Sequence, residues 1–240
     1  MKNTFYQLAL VLTFVASALV PTTDVLAGNN TGPNSTKWTD EEVAFLYEPN
    51  GKQAHHDLLA AIHYFDKKRF DAALEAITDA SYLADPYNPR ENALCTATVK
   101  GKSYALQALL DKGADPNFHH EFSDGSQTRL PLTCALYFQN DDAFFALVEA
   151  GADIHLDQTL RESKGLTPYS LFSAASSTPS RTAKYLLENA RITENDLGVV
   201  RLKVELTRHK KDSEYGRWFL RLARLLEERG VEFTLPPQLR

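Results

Sequence analysis

The chain has 240 residues, with 26 Lys and Arg against 31 Asp and Glu and a formal net charge of −5. That mild acidity argues against general nucleic-acid binding, which needs an excess of cations to neutralise phosphates. Its two cysteines are too few for a disulfide-dense scaffold.

The N-terminus reads as an export signal. Lys2 supplies positive charge, and Leu8 to Val20 (LALVLTFVASALV) is an apolar run too short to span a bilayer comfortably. Pro21 breaks the run, and Val25-Leu26-Ala27 offers small residues to a signal peptidase, which predicts a mature start near Gly28. Residues 1–27 are therefore expected to be removed. No Cys stands at the cleavage point to carry a lipid, and no second long apolar run follows, so no transmembrane segment is expected in the mature chain. Lys2 and Asp24 cancel, so the mature chain also carries −5. It is long enough for one domain with a sizeable core.

Residues 28–37 (GNNTGPNSTK) have the composition of a flexible tether. Residues 38–54 read as an N-terminal helix and turn. Thr39 and Glu42 have the spacing of a capping box, a helix runs on through Tyr47, and Pro49-Asn50-Gly51 ends it. From residue 55 to 240, apolar helical segments alternate with Gly, Pro and Asn punctuation. No run alternates with the period of a strand, and the fold class is all-α.

The helical segments repeat. Residues 109–120 read LLDKGADPNFHH and residues 147–158 read LVEAGADIHLDQ. At the same offset Ala97 aligns with Ala135, Leu106 with Phe144 and Leu109 with Leu147, so two helices stay in register. A further unit runs from Gly165-Leu166-Thr167-Pro168 to Leu186-Leu187-Glu188-Asn189-Ala190, where Ala replaces the Gly. A looser one closes at Leu225-Leu226 and Gly230, and a first unit without the Gly spans Leu58 to Leu74. Gly113 and Gly151 follow helical Leu pairs, where a left-handed residue ends a helix without steric cost. Pro131 and Pro168 suit a first helical turn. A helix pair this short cannot bury its apolar face alone, so stacked neighbours must supply its core.

These units resemble ankyrin repeats. The resemblance lies in Leu130-Pro131-Leu132-Thr133 and Thr167-Pro168-Tyr169-Ser170 at the opening turn, in the small Ala of the first helix, and in Gly113-Ala114-Asp115 and Gly151-Ala152-Asp153 at the close. It covers roughly residues 55–235. The usual His of the opening turn is absent, and the connecting fingers exceed the family period. The resemblance implies a solenoid of four to five helix-pair units with long β-turn fingers. Its central units fall at about 90–127, 128–164 and 165–197, with degenerate caps at 55–89 and 198–240.

The fingers are the expected contact surface, because insertions in repeat proteins collect on the binding face. Phe118, His119, His120, Glu121, Phe122 and Asp124 belong to the first finger; His155, Asp157, Gln158, Arg161 and Glu162 belong to the second. The rival reading of Phe118 and Phe122 is that they fold back to fill a groove. His55, His56 and His63, and His119-His120-Glu121, lack any recognised metal-ligand spacing. No nucleophile elbow and no Gly-rich phosphate loop occur, so no cofactor and no catalytic residue is assigned. Cys95 and Cys134 are expected as buried structural thiols, with a disulfide as the alternative. Stacked helices run about 8–10 Å apart, whereas a relaxed bridge wants Cα atoms within about 7 Å. Residues 201–229 hold nine Lys or Arg against five acids. This basic stretch reads either as a cap, with Trp218, Leu222, Leu225 and Leu226 on its apolar face, or as a dock for an anionic partner or membrane surface.

Ankyrin folds mostly recognise proteins, so the resemblance implies a non-catalytic binding module. With the export signal it points to the bacterial periplasm, although an extracellular destination is also open. There, small ankyrin proteins resemble immunity proteins that bind a secreted toxin such as a phospholipase. An acidic surface would suit a basic toxin. A periplasmic stress-protection or scaffold factor, a host-directed effector, and an enzyme hidden around His55, His56 and His63 or in the basic tail are the other readings.

Overall fold

The computed structural model describes residues 51–80, 84–85, 88–123, 125, 127–168 and 170–240. The export segment, the tether and the helix expected from Thr39 to Tyr47 lie outside these residues. Among the described residues the chain is helical apart from one short hairpin. Its elements in order are α1 (Gly51–His63), α2 (Lys67–Ala76), β1 (Ala84–Asp85), β2 (Asn88–Asn92), α3 (Ala93–Val99), α4 (Ser103–Asp111), α5 (Pro131–Tyr137), α6 (Asp141–Glu149), α7 (Leu156–Ser163), α8 (Leu171–Ala175), α9 (Arg181–Asn189), α10 (Glu194–Leu206) and α11 (Glu214–Glu228). A 3-10 turn, Pro237–Leu239, closes the chain. No described helix is long and apolar enough to cross a membrane.

Ten of these helices form five antiparallel pairs: α1/α2, α3/α4, α5/α6, α8/α9 and α10/α11. The first helices pack in sequence order, α1 on α3, α3 on α5, α5 on α8 and α8 on α10. The second helices follow at α4, α6 and α9. The antiparallel strands β1 and β2 precede the second pair. They pair over too few residues for an alternating pattern to register in sequence. Gly51, expected to end an earlier helix, is instead the first residue of α1, so the boundary expected after residue 54 falls inside a helix.

The same backbone turn joins the helices of the first three pairs. Phe65, Gly101 and Gln139 all take positive φ, at 61°, 63° and 52°. The next residue in each case donates its N–H to a small buried residue of the first helix. Asp66 donates to Ala61, Lys102 to Ala97 and Asn140 to Ala135, each at 2.9 Å. These alanines are almost wholly buried, and their small size lets neighbouring first helices approach.

A second recurring turn ends the second, third and last pairs. Gly113 and Gly151 have φ of 93° and 95°. Ala114 and Ala152 then donate to the carbonyls of Leu109 and Leu147, at 3.0 and 2.9 Å. The last pair repeats this, with Gly230 at φ 68° and Val231 donating to Leu226 at 2.9 Å. At Ala190 the backbone is extended instead, because an L-residue avoids the left-handed region. The leucine four positions before each turn (Leu109, Leu147, Leu186 and Leu226) is fully buried. Together with Phe70, Phe144 and Phe172, these leucines form the core that runs through the stack.

Candidate partner-binding groove

A groove of about 550 Å³ opens along α5 and α8 beside α7. Its apolar lining comes from Ala135, Leu136, Leu171, Ala174 and Ala175. These are mostly small side chains, which is why the volume is left open. Tyr137 contributes a ring that is 58 % exposed. The polar lining consists of Gln139, Asp141, Asp157 and Arg161 and a run of hydroxyls. The hydroxyls of Thr133, Ser170 and Thr182 have no hydrogen-bond partner among the described residues.

The five-residue helix α8 is too short to hold its own position, and α10 and α11 hold it. Buried Asp196 accepts the Ser170 N–H at 2.9 Å and caps α10 through Thr193. The Lys203 ammonium donates to the Ser173 carbonyl at 2.5 Å and to the Ser176 hydroxyl at 2.9 Å. Trp218 Nε1 donates to the Ser176 carbonyl at 2.8 Å. Burial pushes the Lys203 amine down to about 8. Asp141 accepts the Arg181 N–H at 2.9 Å, and its negative charge suits the N-terminus of α9.

The sequence-derived contact residues divide into several groups. Asp157 and Arg161 line the groove. Burial pushes the Asp157 carboxyl above its ordinary value, and the nearby Arg161 cation draws it partly back. Arg161 Nε also donates to the Thr167 carbonyl at 2.9 Å. Glu162 accepts Arg191 Nη2 on both carboxylate oxygens, at 2.7 and 2.8 Å. Gln158 is buried, with 1 % exposure, and so belongs to the packing of α7 rather than to a contact surface. The second finger is thus a docked helix and not a β-turn loop.

The first finger is closer to expectation. Thr128 and His120 exchange hydrogen bonds of 2.8 and 2.7 Å, and Glu121 bridges Gln127 as a short antiparallel contact. Phe122 is only 2 % exposed, with its ring edge-on to His120 at 4.8 Å. Of the two readings for this Phe, the fold-back describes where it lies. Phe118 is half-buried and His119 is exposed. Glu121 pairs with Lys164 at 2.5 Å, which ties the finger to the end of α7. Asp124 lies outside the described residues. His155 is half-buried beside the start of α7, and its N–H donates to Asp153 at 2.8 Å.

Cys95 and Cys134 form a disulfide with Cα atoms 5.5 Å apart. The expected separation of stacked helices is too large here: α3 packs directly on α5, closely enough at the two cysteines for the bond. At the 38-residue offset Cys95 aligns with Thr133 rather than Cys134, and that one-residue difference belongs to the pairing. Among the candidate metal residues, His55 is fully buried in α1, and the described residues contain no cluster of three or more His, Cys, Asp or Glu suited to a metal ion. Trp218, Leu222 and Leu226 are buried and Leu225 half-buried, which places the apolar face of the basic tail in the core.

Sequence reasoning missed Tyr137 and the Ser and Thr residues of the groove. Hydroxyl residues beside short helices carry no distinctive spacing, and only the stacking of α5 on α8 brings them together. Comparison of the chain with protein-family profiles and with curated proteins finds no match.

Proposed function

We propose that this chain is an exported, non-catalytic ankyrin-repeat protein whose groove binds another protein, and that it serves as the immunity protein of a secreted toxin effector such as a phospholipase. The groove along α5 and α8 is the observation that carries the reading. It combines an exposed aromatic, an apolar lining and a few polar groups, the makeup of a recognition site. The ankyrin assignment draws support from the recurring Gly-Ala-Asp turns and from the sequential packing of five helix pairs. The step from that fold to protein binding is analogy; the groove adds a place for the contact.

Asp157 favours a partner that presents a hydrogen-bond donor or cation, since its carboxylate is partly desolvated at the groove wall. Export is supported by the order of charge, apolar run, breaker and small residues before Gly28. N-terminal sequencing of the processed protein tests that step, with Gly28 or a close neighbour as the expected first residue. For the function, purification from the native source should yield a stable 1:1 complex, and co-expression should relieve the partner's toxicity. Tyr137→Asp should weaken that complex tenfold or more. Failure to recover any partner, with no toxicity relieved, would sink the immunity reading. Recovery with an oxidative-stress enzyme would replace it by the protective one.

A further inference from the structure

The fingers occupy one edge of the stack, and the turns that join the helices of each pair occupy the other. On that second edge Tyr64 is 70 % exposed and Phe65 57 %. Phe65 holds the left-handed conformation that Gly101 takes one pair later. A bulky residue is costly there, and such strain is retained where a side chain has a use. Three cations follow at once: Lys67, Lys68 and Arg69 form the exposed first turn of α2, which contains no acid. Cations at a helix N-terminus oppose its dipole. The corresponding turn of α6 carries Asp141 and Asp142 instead, so the fold itself does not require the basic choice.

The next turn adds Lys100 and Lys102, with Lys102 Nζ 3.6 Å from the centre of the Phe65 ring. Two carboxylates lie among these five cations. Asp66 caps α2 by accepting the Arg69 N–H at 3.0 Å, and Asp71 pairs with Lys67 at 2.6 Å. A chain of net charge −5 therefore concentrates positive charge around two projecting rings.

We propose that this edge, formed by Tyr64, Phe65, Lys68, Arg69, Lys100 and Lys102, docks reversibly onto a bilayer surface containing anionic lipid. Aromatic rings favour the membrane–water interface, and each basic residue near an anionic leaflet strengthens binding about fivefold. A soft interface accepts rings projecting from a tight turn and gathers anions around them, whereas an acidic protein would need a matching cleft.

Sedimentation of the purified protein with vesicles tests the proposal. It should pellet with mixed phosphatidylcholine–phosphatidylglycerol vesicles, not with phosphatidylcholine alone, and release as salt rises. Lys68→Glu with Arg69→Glu should weaken retention about 25-fold or more. Phe65→Gly should weaken it at least fivefold while holding or raising the melting temperature, because the substitution relieves backbone strain; lost binding then cannot be blamed on misfolding. Absence of retention on anionic vesicles at low salt would overturn the proposal, as would equal retention of these variants. Capture by polyglutamate without capture by vesicles would also overturn it and mark the edge as a protein dock.

Discussion

Gln139 occupies a backbone conformation that glycine takes in the preceding pair, at φ 52° against 63° for Gly101. Relief of that strain outweighs the extra freedom glycine gives the unfolded chain. Gln139→Gly should therefore stabilise the protein by about 0.5–1 kcal/mol in denaturant unfolding. Gly216 gives the opposite case: a Cβ there would lie 1.9 Å from the Lys210 carbonyl oxygen. Gly216→Ala should cost more than about 2 kcal/mol, in the range of an overpacked core site. A helical glycine in the basic tail gives no sequence hint of that contact, which depends on the path of the 207–213 loop. Lys203 predicts a pH dependence. Its amine titrates near 8 in the folded chain against an ordinary 10.5, so the unfolded chain holds more protons between those values. The contribution of this group to stability should rise with pH from 8 to 10.5, and Lys203→Met should remove that rise. Asp157 has the reverse sense: its raised carboxyl makes stability fall as pH climbs above the ordinary carboxylate value. Asp157→Asn should therefore hold or improve stability at neutral pH while weakening partner binding about tenfold.

At the scale of elements, the disulfide and Asn117 are among the cross-links that fasten the second helix pair to the third. The Cys95–Cys134 bond closes a loop with a sequence separation of 39 that contains α4 and the first finger. By the loop-entropy estimate it contributes about 4 kcal/mol. Reduction, or replacement of both cysteines by serine, should lower the unfolding free energy by roughly that amount, measured with and without reductant. The second link is Asn117, whose side chain accepts the Asp153 N–H at 2.7 Å and donates to the Gly151 carbonyl at 3.0 Å. The two halves of LLDKGADPNFHH thus act on different neighbours. LLDKGAD closes its own pair, while the Asn of PNFHH grips the following one. The closing turn was legible because Gly reports positive φ directly. The second finger was not, because the sequence from Leu156 to Ser163 shows only a short amphipathic stretch, and its helix is fastened by partners as distant as Arg191.

For the whole molecule, the register of Ala97 with Ala135 and of Leu109 with Leu147 was enough to read a stack of helix pairs. Each of these side chains is buried where the repeat requires it. The groove was not legible, since it depends on how far α5 stands from the shortened α8. A stack whose pairs contact mainly their neighbours should also lose structure from its ends. Hydrogen exchange should be slowest in α3 to α6, where the disulfide and Asn117 add to the packing. The groove lies at the border of that stable centre, on a helix positioned by the last pair. The most direct test of the account is hydrogen exchange of the complex with the co-purified partner. New protection is expected across residues 133–139 and 170–178, lost in Tyr137→Asp. Protection confined to the finger tips, with the groove unchanged, would contradict it.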